Sequence, residues 1–586
     1  MAKIARKELT GLLGTDVNIG DIDYAPFNRI VVSDISVADP LQPDSCALTI
    51  KHLGAGISFM ESLWQQRPVV TYAEIIGLNL RLRRDSTAAP LNIQPIIDRF
   101  KKPDNGKRST YDLAVNLIVI RSSGLSYDVM SAPCVDDGRF DPAHISLRQL
   151  RADLRAPVIS DSTLSAEIKR LGATEKSGLK LSTVTAKVNM TRKDILISNL
   201  ALQMPNSRLA FEPIEINGSP LGDGFDLKKL HTHLSTLPGT HVSSRDISPL
   251  LPQLENTDLT LDIGIDARGG LKKVFIDNAS LSLAGQNINI LATGTVSGLD
   301  GGRDSMRVSV DNLSADIDMP SLCNILGRCN EPALTKNIDK YVAAGRVRIN
   351  GQGALSKHSA DLACTINSDC GSADIDAGMR RNSPDETMDI DGKISINDFN
   401  PSALFPKLRQ LTDITCQAQG AVTLSSSGKD IRGKVEVEIP QAVWSGYTID
   451  DVVAEAEFSG NHVELGAHSN DPLLDFTLHC GADMSGERPL TEMYAYLRNI
   501  SLSPWVKSGR MQHCDLTAEI NASVYGHTPD ALDGWLSISD LTLTDKANAK
   551  SLYIDTLTVN SNVTDSIHNV SLHGGPLDVK LNGRYT

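Results

Sequence analysis

The stretch Leu259-Thr260-Leu261-Asp262-Ile263-Gly264-Ile265-Asp266 places an apolar residue at every second position. Successive side chains of a β-strand point to opposite faces, so these eight residues make one oily face and one wet face. The same period returns at Val435, Val437 and Ile439 around Glu436 and Glu438, and at Leu516, Ala518 and Ile520. It returns again at Leu577, Val579 and Leu581, and at Leu113, Val115, Leu117 and Val119. In that last run Ala114, Ile118 and Ile120 are apolar too, so the inward parity stays open there.

Turn dipeptides lie among these runs: Asn105-Gly106, Asp137-Gly138, Asn217-Gly218, Asp300-Gly301, Asn350-Gly351, Asp391-Gly392, Asp533-Gly534 and Asn582-Gly583. Such pairs tolerate the positive φ of tight hairpins, which predicts antiparallel neighbours. A turn signal every 15–20 residues or so gives roughly 30 strands. The expected class is all-β, an elongated and repetitive antiparallel sheet interrupted by short helices.

Those interruptions share a phrase. Asp246-Ile247-Ser248-Pro249-Leu250-Leu251 is echoed by Asp318-Met319-Pro320-Ser321-Leu322 and by Asn400-Pro401-Ser402-Ala403-Leu404, and more weakly by Ser503-Pro504-Trp505-Val506. A polar cap, then proline in the first turn, then apolar residues, is the chemistry of a helix start. Short helices are therefore expected near 246–256, 319–328, 400–411 and 501–508, with about five or more strands in each interval. Residues 1–14 read as a basic amphipathic helix, because Lys3, Arg6 and Lys7 accompany Ile4, Leu9, Leu12 and Leu13. Two strand-rich regions follow, at 15–240 and 241–586.

The composition excludes several functions. With 57 Lys+Arg against 71 Asp+Glu the net charge is −14, so no surplus of cations exists to neutralise a nucleic-acid backbone. The aromatics (11 Phe, 11 Tyr and 4 Trp) are too few to supply stacking platforms for bases or sugars. No run of 18 apolar residues is present to cross a bilayer as a helix.

No HExxH, GxSxG, GxxxxGK[ST] or helix-opening GxGxxG occurs, and the nine cysteines lack zinc spacing. His231, His233 and His241 read as surface groups, and the pair Asp374 and Asp376, on one face of a strand, as a solvated edge. No catalytic residue, metal ligand or cofactor is expected, and the chain reads as a non-enzyme. The oily faces must be covered by a second sheet, by the sheet's own far edge, or by an apolar ligand.

Several phrases in the first half carry a family resemblance. They are LTGLLGTDVNIGDIDYAPFNRIVVSDISVAD (9–39), LNIQPIIDRFKK (91–102), DLAVNLIVIRSSGLSYDV (112–129), GRFDPAHISLRQLRADL (138–154), SGLKLSTVTAKV (177–188), LALQMPNSRLAF (200–211) and ISPLLPQL (247–254). Together they resemble the AsmA-like/TamB superfamily, closest to the TamB-like translocation and assembly module proteins of Bacteroidota. The likeness is specific over about residues 9–260 and diffuse beyond.

It implies a taco-like β-groove with a hydrophobic inner face, in a periplasmic protein tethered to the inner membrane. Such a protein would conduct phospholipid toward the outer membrane and support outer-membrane protein assembly. The 586 residues would be an N-terminal portion, with residues 1–14 just outside the membrane. The inner-membrane anchor would lie upstream, and the part that meets a BamA/TamA-like barrel partner would lie downstream. The groove would be lined by Leu113, Val115, Leu117, Val119, Leu259, Leu261, Ile263, Ile265, Val435, Val437, Ile439, Leu516, Ala518, Ile520, Leu577, Val579 and Leu581. The alternative is a structural or adhesive β-sandwich repeat protein without lipid cargo.

Overall fold

The computed structural model describes residues 2–583 except 26–28, 59–69, 88, 101–116, 136–137, 160–162, 220–225, 227–228, 284, 303, 330–337, 383–386, 426–429, 487, 507–508, 527–532, 565–566 and 576. The described residues form an all-β fold of 34 strands with few, short helices. The chain divides into two compact units, residues 1–302 with 324–336, and residues 303–323 with 337–586.

The first unit opens with α1 (Ala2–Leu13), followed by β1 (Val17–Asn18), β2 (Asp21–Ala25), β3 (Arg29–Asp39), β4 (Gln42–Ile57), β5 (Val70–Ile76) and β6 (Asn79–Arg84). Helix α2 (Gln94–Phe100) precedes β7 (Leu117–Val129), β8 (His144–Ile159), β9 (Thr163–Glu175), β10 (Lys180–Thr191) and β11 (Asp194–Gln203). Short strands β12 (Arg208–Ala210), β13 (Ile214–Asn217), β14 (His231–Ser235) and β15 (His241–Ser243) lead to α3 (Ser244–Ile247). Strands β16 (Thr260–Gly270), β17 (Lys273–Leu283) and β18 (Ile288–Ser297) close the unit.

One departure from an antiparallel sheet occurs here: β5 and β6 both pair parallel to β7. The two are successive pieces of one line between β4 and β7, separated at Gly77, whose φ is +69°. The long connection from β6 through α2 to β7 is what a parallel crossover requires, since a tight hairpin cannot make one.

The second unit contains β19 (Arg307–Asp318), β20 (Arg346–Leu355), β21 (Ser359–Ser368), β22 (Gly371–Asn382), β23 (Thr387–Phe399), β24 (Leu411–Leu424), β25 (Ile431–Trp444) and β26 (Tyr447–Gly460). It continues with β27 (His462–Asp471), β28 (Leu474–Asp483), β29 (Leu490–Ser501), β30 (Cys514–Tyr525), β31 (Asp533–Asp545), β32 (Lys550–Thr564), β33 (Ile567–Gly574) and β34 (Leu577–Gly583). Every consecutive pair from β19 to β34 is antiparallel.

Helix α4 (Met319–Arg328) follows β19, and α5 (Pro401–Leu404) follows β23. Ser503-Pro504-Trp505 forms a single turn after β29 rather than a helix, with the Trp505 and Val506 amides donating to the Leu502 carbonyl. The intervals between the shared phrases hold four, four and six strands, so two of them are shorter than expected.

Four of the turn dipeptides lie inside strands: Asn350-Gly351 in β20, Asp391-Gly392 in β23, Asp533-Gly534 in β31 and Asn582-Gly583 in β34. At Gly351 the glycine serves close approach. A Cβ there would lie 2.5 Å from the Cys364 Cβ and 2.6 Å from the Ala363 carbonyl oxygen of the neighbouring strand. Bulges bend the strands, several at non-glycine residues with positive φ, such as Ser122, Asn199, Asp398 and Asp540.

Candidate functional site: an apolar sheet face

Residues directly opposite each other in an antiparallel ladder share a face, so the register can be followed row by row. In the second unit one row reads Val310, Gly353, Leu362, Ala377, Gly392, Gly420, Val435, Ala456, Leu465, Cys480, Met493, Ala522, Leu536, Val559, Leu572 and Val579. It crosses all sixteen strands without a polar side chain.

The next row on that face runs Leu313, Gly351, Cys364, Ile375, Ile394, Ala418, Val437, Ala454, Ala467, Leu478, Ala495, Ile520, Ile538 and Leu557, again all apolar. The intervening row on the other face includes Gln352, Asp376, Lys393, Gln419, Glu436, Glu455, His479, Asn521, Ser537 and Asp578. The oily and wet faces of the sequence pattern are therefore continuous properties of this sheet.

The oily face is not packed shut. Leu355 is 59 % exposed, Leu362 47 % and Val579 42 %, whereas the inner positions of a sandwich would be almost wholly buried.

The first unit repeats the arrangement. Ile22, Val32, Leu53, Ile75, Ile120, Ala152, Leu171, Val184, Leu202 and Leu209 form one row, and Leu261, Leu283 and Val242 share a face farther along. Here the oily face is covered at its start. Ala2, Ala5, Leu9 and Leu13 of α1 and Ile96 of α2 pack on buried Val17, Ile19 and Val37 beside Ile22, Val32 and Leu48.

The lining residues expected from sequence fall as follows. Leu261, Ile263 and Ile265 share the face of Leu283, Leu281 and Ala279. Leu259 precedes β16 and binds Ser244 through its backbone. Val435, Val437, Ile520, Leu577, Val579 and Leu581 lie on the oily face of the second unit. Ile439 is paired with Val452, Leu516 with Leu543, and Ala518 with Leu497.

Leu113 and Val115 lie outside the described residues. Leu117 and Val119 pair with Tyr72 and Glu74, and Val119, itself buried, also with Asp153, so they share a face with polar neighbours. The oily parity of β7 is Ile118 and Ile120.

The imidazoles seen in the sequence stay apart. His233 meets Asp266 at 2.6 Å, while His231 and His241 bond nearby backbone carbonyls. Asp376 pairs with Ala363 and Lys393 inside the sheet, not at an edge. A depression of about 1000 Å³ on the wet face of β26–β31 is lined by Glu455, Glu464, His479, Tyr494 and Trp535 among others.

Among the described residues one group could share a metal ion, Cys134, Asp141 and His144. No sequence motif marks it, because His144 acts with groups 12 and 16 residues away. Its Nδ1 lies 3.1 Å from Asp128 Oδ1 and its Nε2 3.1 Å from the Ala132 carbonyl. Both nitrogens face acceptors, so the ring satisfies both only as imidazolium, which has no lone pair for a metal. Asp141 is likewise engaged, accepting the Ala143 and Val135 amides. The group is a clamp on the β7–β8 loop.

The hydrogen bond to Asp128, then the Ala132 carbonyl, raises the His144 pKa above its ordinary 6.5. A raised folded value means that the stabilisation is full below 6.5 and is lost as pH rises through that higher value. The melting-temperature gap between wild type and His144→Gln should therefore shrink on going from acid to mildly alkaline pH. A gap independent of pH would count against the clamp.

No protein-family profile matches the chain, and no curated protein matches it by sequence.

Proposed function

We propose that the chain is a periplasmic lipid-transfer protein whose oily sheet faces carry phospholipid acyl chains between the inner and outer membranes, in support of outer-membrane biogenesis and protein assembly. The observation that carries this reading is the two unbroken apolar rows, one across β19–β34 and one across β19–β32, with Leu362 47 % and Leu465 37 % exposed along the first. The resemblance of the first half to AsmA-like/TamB proteins points the same way.

Each methylene moved from water to an oily surface contributes about 0.8 kcal/mol, so two acyl chains passing through water would cost tens of kcal/mol. A strip without fixed polar groups offers a series of near-equivalent sites, and headgroups stay wet at its margins. Tethering to the inner membrane and delivery to a BamA/TamA-like barrel are part of this proposal.

A β-sandwich adhesin would bury these rows against a second sheet, and their exposure argues against it. Organic extraction of the purified protein followed by mass spectrometry should release phospholipid in at least equimolar amount. Lipid-free protein that also fails to take lipid from vesicles would overturn the proposal.

A further inference from the structure

Helix α1 has two uses for its apolar residues. Ala2, Ala5, Leu9 and Leu13 recur at helical spacing and pack on the sheet. Ile4 and Leu12 do not: they are 70 % and 55 % exposed. Helix α2 joins the same cluster through Ile96, and its Arg99 donates to the Gly11 carbonyl at 3.0 Å near the end of α1. It also presents Ile97, 39 % exposed. A lone exposed apolar side chain needs no explanation. Here three are carried by two helices that pack together.

The charges beside them are of one predominant sign. Lys3, Arg6 and Lys7 are exposed on α1 against Glu8, and on α2 Arg99 adds a fourth cation beside the carboxylate Asp98, so four cations face two carboxylates. Among the described residues Lys3, Arg6 and Lys7 form no ion pair. The wider chain does not share this bias. Residues 1–300 hold 33 Lys+Arg and 33 Asp+Glu, leaving 57 − 33 = 24 against 71 − 33 = 38 for residues 301–586, so the whole −14 lies in the second half. An anionic surface would repel that half and accept this helix pair.

We propose that the outer side of α1 and α2 docks on the surface of an anionic phospholipid bilayer, with Ile4, Leu12 and Ile97 entering the headgroup boundary and Lys3, Arg6, Lys7 and Arg99 pairing with phosphates. Interfacial helices combine these two elements, shallow apolar insertion and electrostatic attraction. The sheet-facing side of α1 stays on Val17 and Val37, so docking needs no unfolding. The contact would hold the covered start of the oily face at a membrane. It complements the proposed lipid transfer and is tested apart from it.

The experiment is co-sedimentation of the full chain with vesicles of phosphatidylcholine alone or with about a third phosphatidylglycerol, at low and high salt. Wild type should bind the anionic vesicles, bind neutral ones far less, and lose binding as salt rises. The triple variant Lys3→Glu, Arg6→Glu, Lys7→Glu should bind at least about tenfold more weakly, with an unchanged melting temperature because its positions face solvent. Ile4→Asp should weaken binding without altering the charge pattern of the other helix.

Equal binding of wild type to both vesicles, or undiminished binding by the triple variant, overturns the proposal. Lipid extracted from the same variants separates the two readings. Vesicle binding lost with groove lipid kept supports the docking surface. Groove lipid absent from a protein that still binds anionic vesicles sinks the transfer reading alone.

Discussion

Leu536→Asp is expected to strip the protein of co-purifying phospholipid, while Ser537→Asp, one residue along the same strand, leaves it unchanged. Leu536 lies between Ala522 and Val559 on the oily face, and Ser537 between Asn521 and Thr558 on the wet one. Both variants add the same charge to β31 between the same two neighbouring strands. Against an acyl chain, a carboxylate costs several kcal/mol unless water enters with it or it takes up a proton. Either event breaks the run of equivalent sites on which sliding depends.

Leu362→Asp should behave like Leu536→Asp at a site ten strands earlier in the row order. Its side chain is already half exposed without lipid, so the melting temperature of lipid-free protein should move little. The lipid phosphorus content per chain measures the effect. If Leu536→Asp and Ser537→Asp retain equal amounts, the oily face is not where lipid sits.

That contrast rests on a property legible from the amino-acid order. Wherever one parity was apolar and the other charged, as at Val435–Ile439 or Leu577–Leu581, the register places the oily parity on one face. The rule makes no choice at β7, where both parities are apolar. Burial there is set by a parallel pairing with β5 and by a bulge at Ser122 (φ +50°), which the local pattern does not encode. Glycine dipeptides misled for a related reason. Asn350-Gly351 has the chemistry of a turn, but in β20 the missing Cβ admits the neighbouring strand. The His144 clamp was invisible because one of its two partners is a backbone carbonyl, which no residue type announces. The two faces of α1 were legible as amphipathicity, but which apolar residues remained outside was decided by the packing on Val17 and Val37.

The largest loss of stability is expected at Asn92, within one of the phrases that carries the family resemblance. Its side chain is fully buried and uses both ends. Nδ2 donates to Asp39 Oδ2 at 2.7 Å and to the Arg81 carbonyl at 3.0 Å, and Oδ1 accepts the Arg83 amide at 3.0 Å. Arg83 also reaches Asp39 at 3.0 Å, so one amide ties β3, β6 and the approach to α2 together. Burial pushes the Asp39 carboxyl up, but the Asn92 amide, the Leu41 and Gln42 amides and the Arg83 guanidinium outweigh it and hold it below the usual 3.8. Asn92→Ala takes the partner from the Arg81 carbonyl and the Arg83 amide and leaves Asp39 Oδ2 to Arg83 alone, and should cost about 3 kcal/mol in urea unfolding. Asn92→Asp keeps the shape but turns the donor into a second carboxylate against Asp39. At neutral pH it should be the more damaging change, since like charges in contact cannot both ionise cheaply. The pH trends then have opposite sign. Wild type gains from a depressed carboxyl, a stabilisation present above 3.8 and lost as pH falls through the lower folded value. In Asn92→Asp the pair takes up a proton more readily, so mild acid should restore part of the loss. Parallel unfolding curves for wild type and Asn92→Asp from neutral to mildly acid pH would show that the Asp39–Asn92 contact does not support the fold.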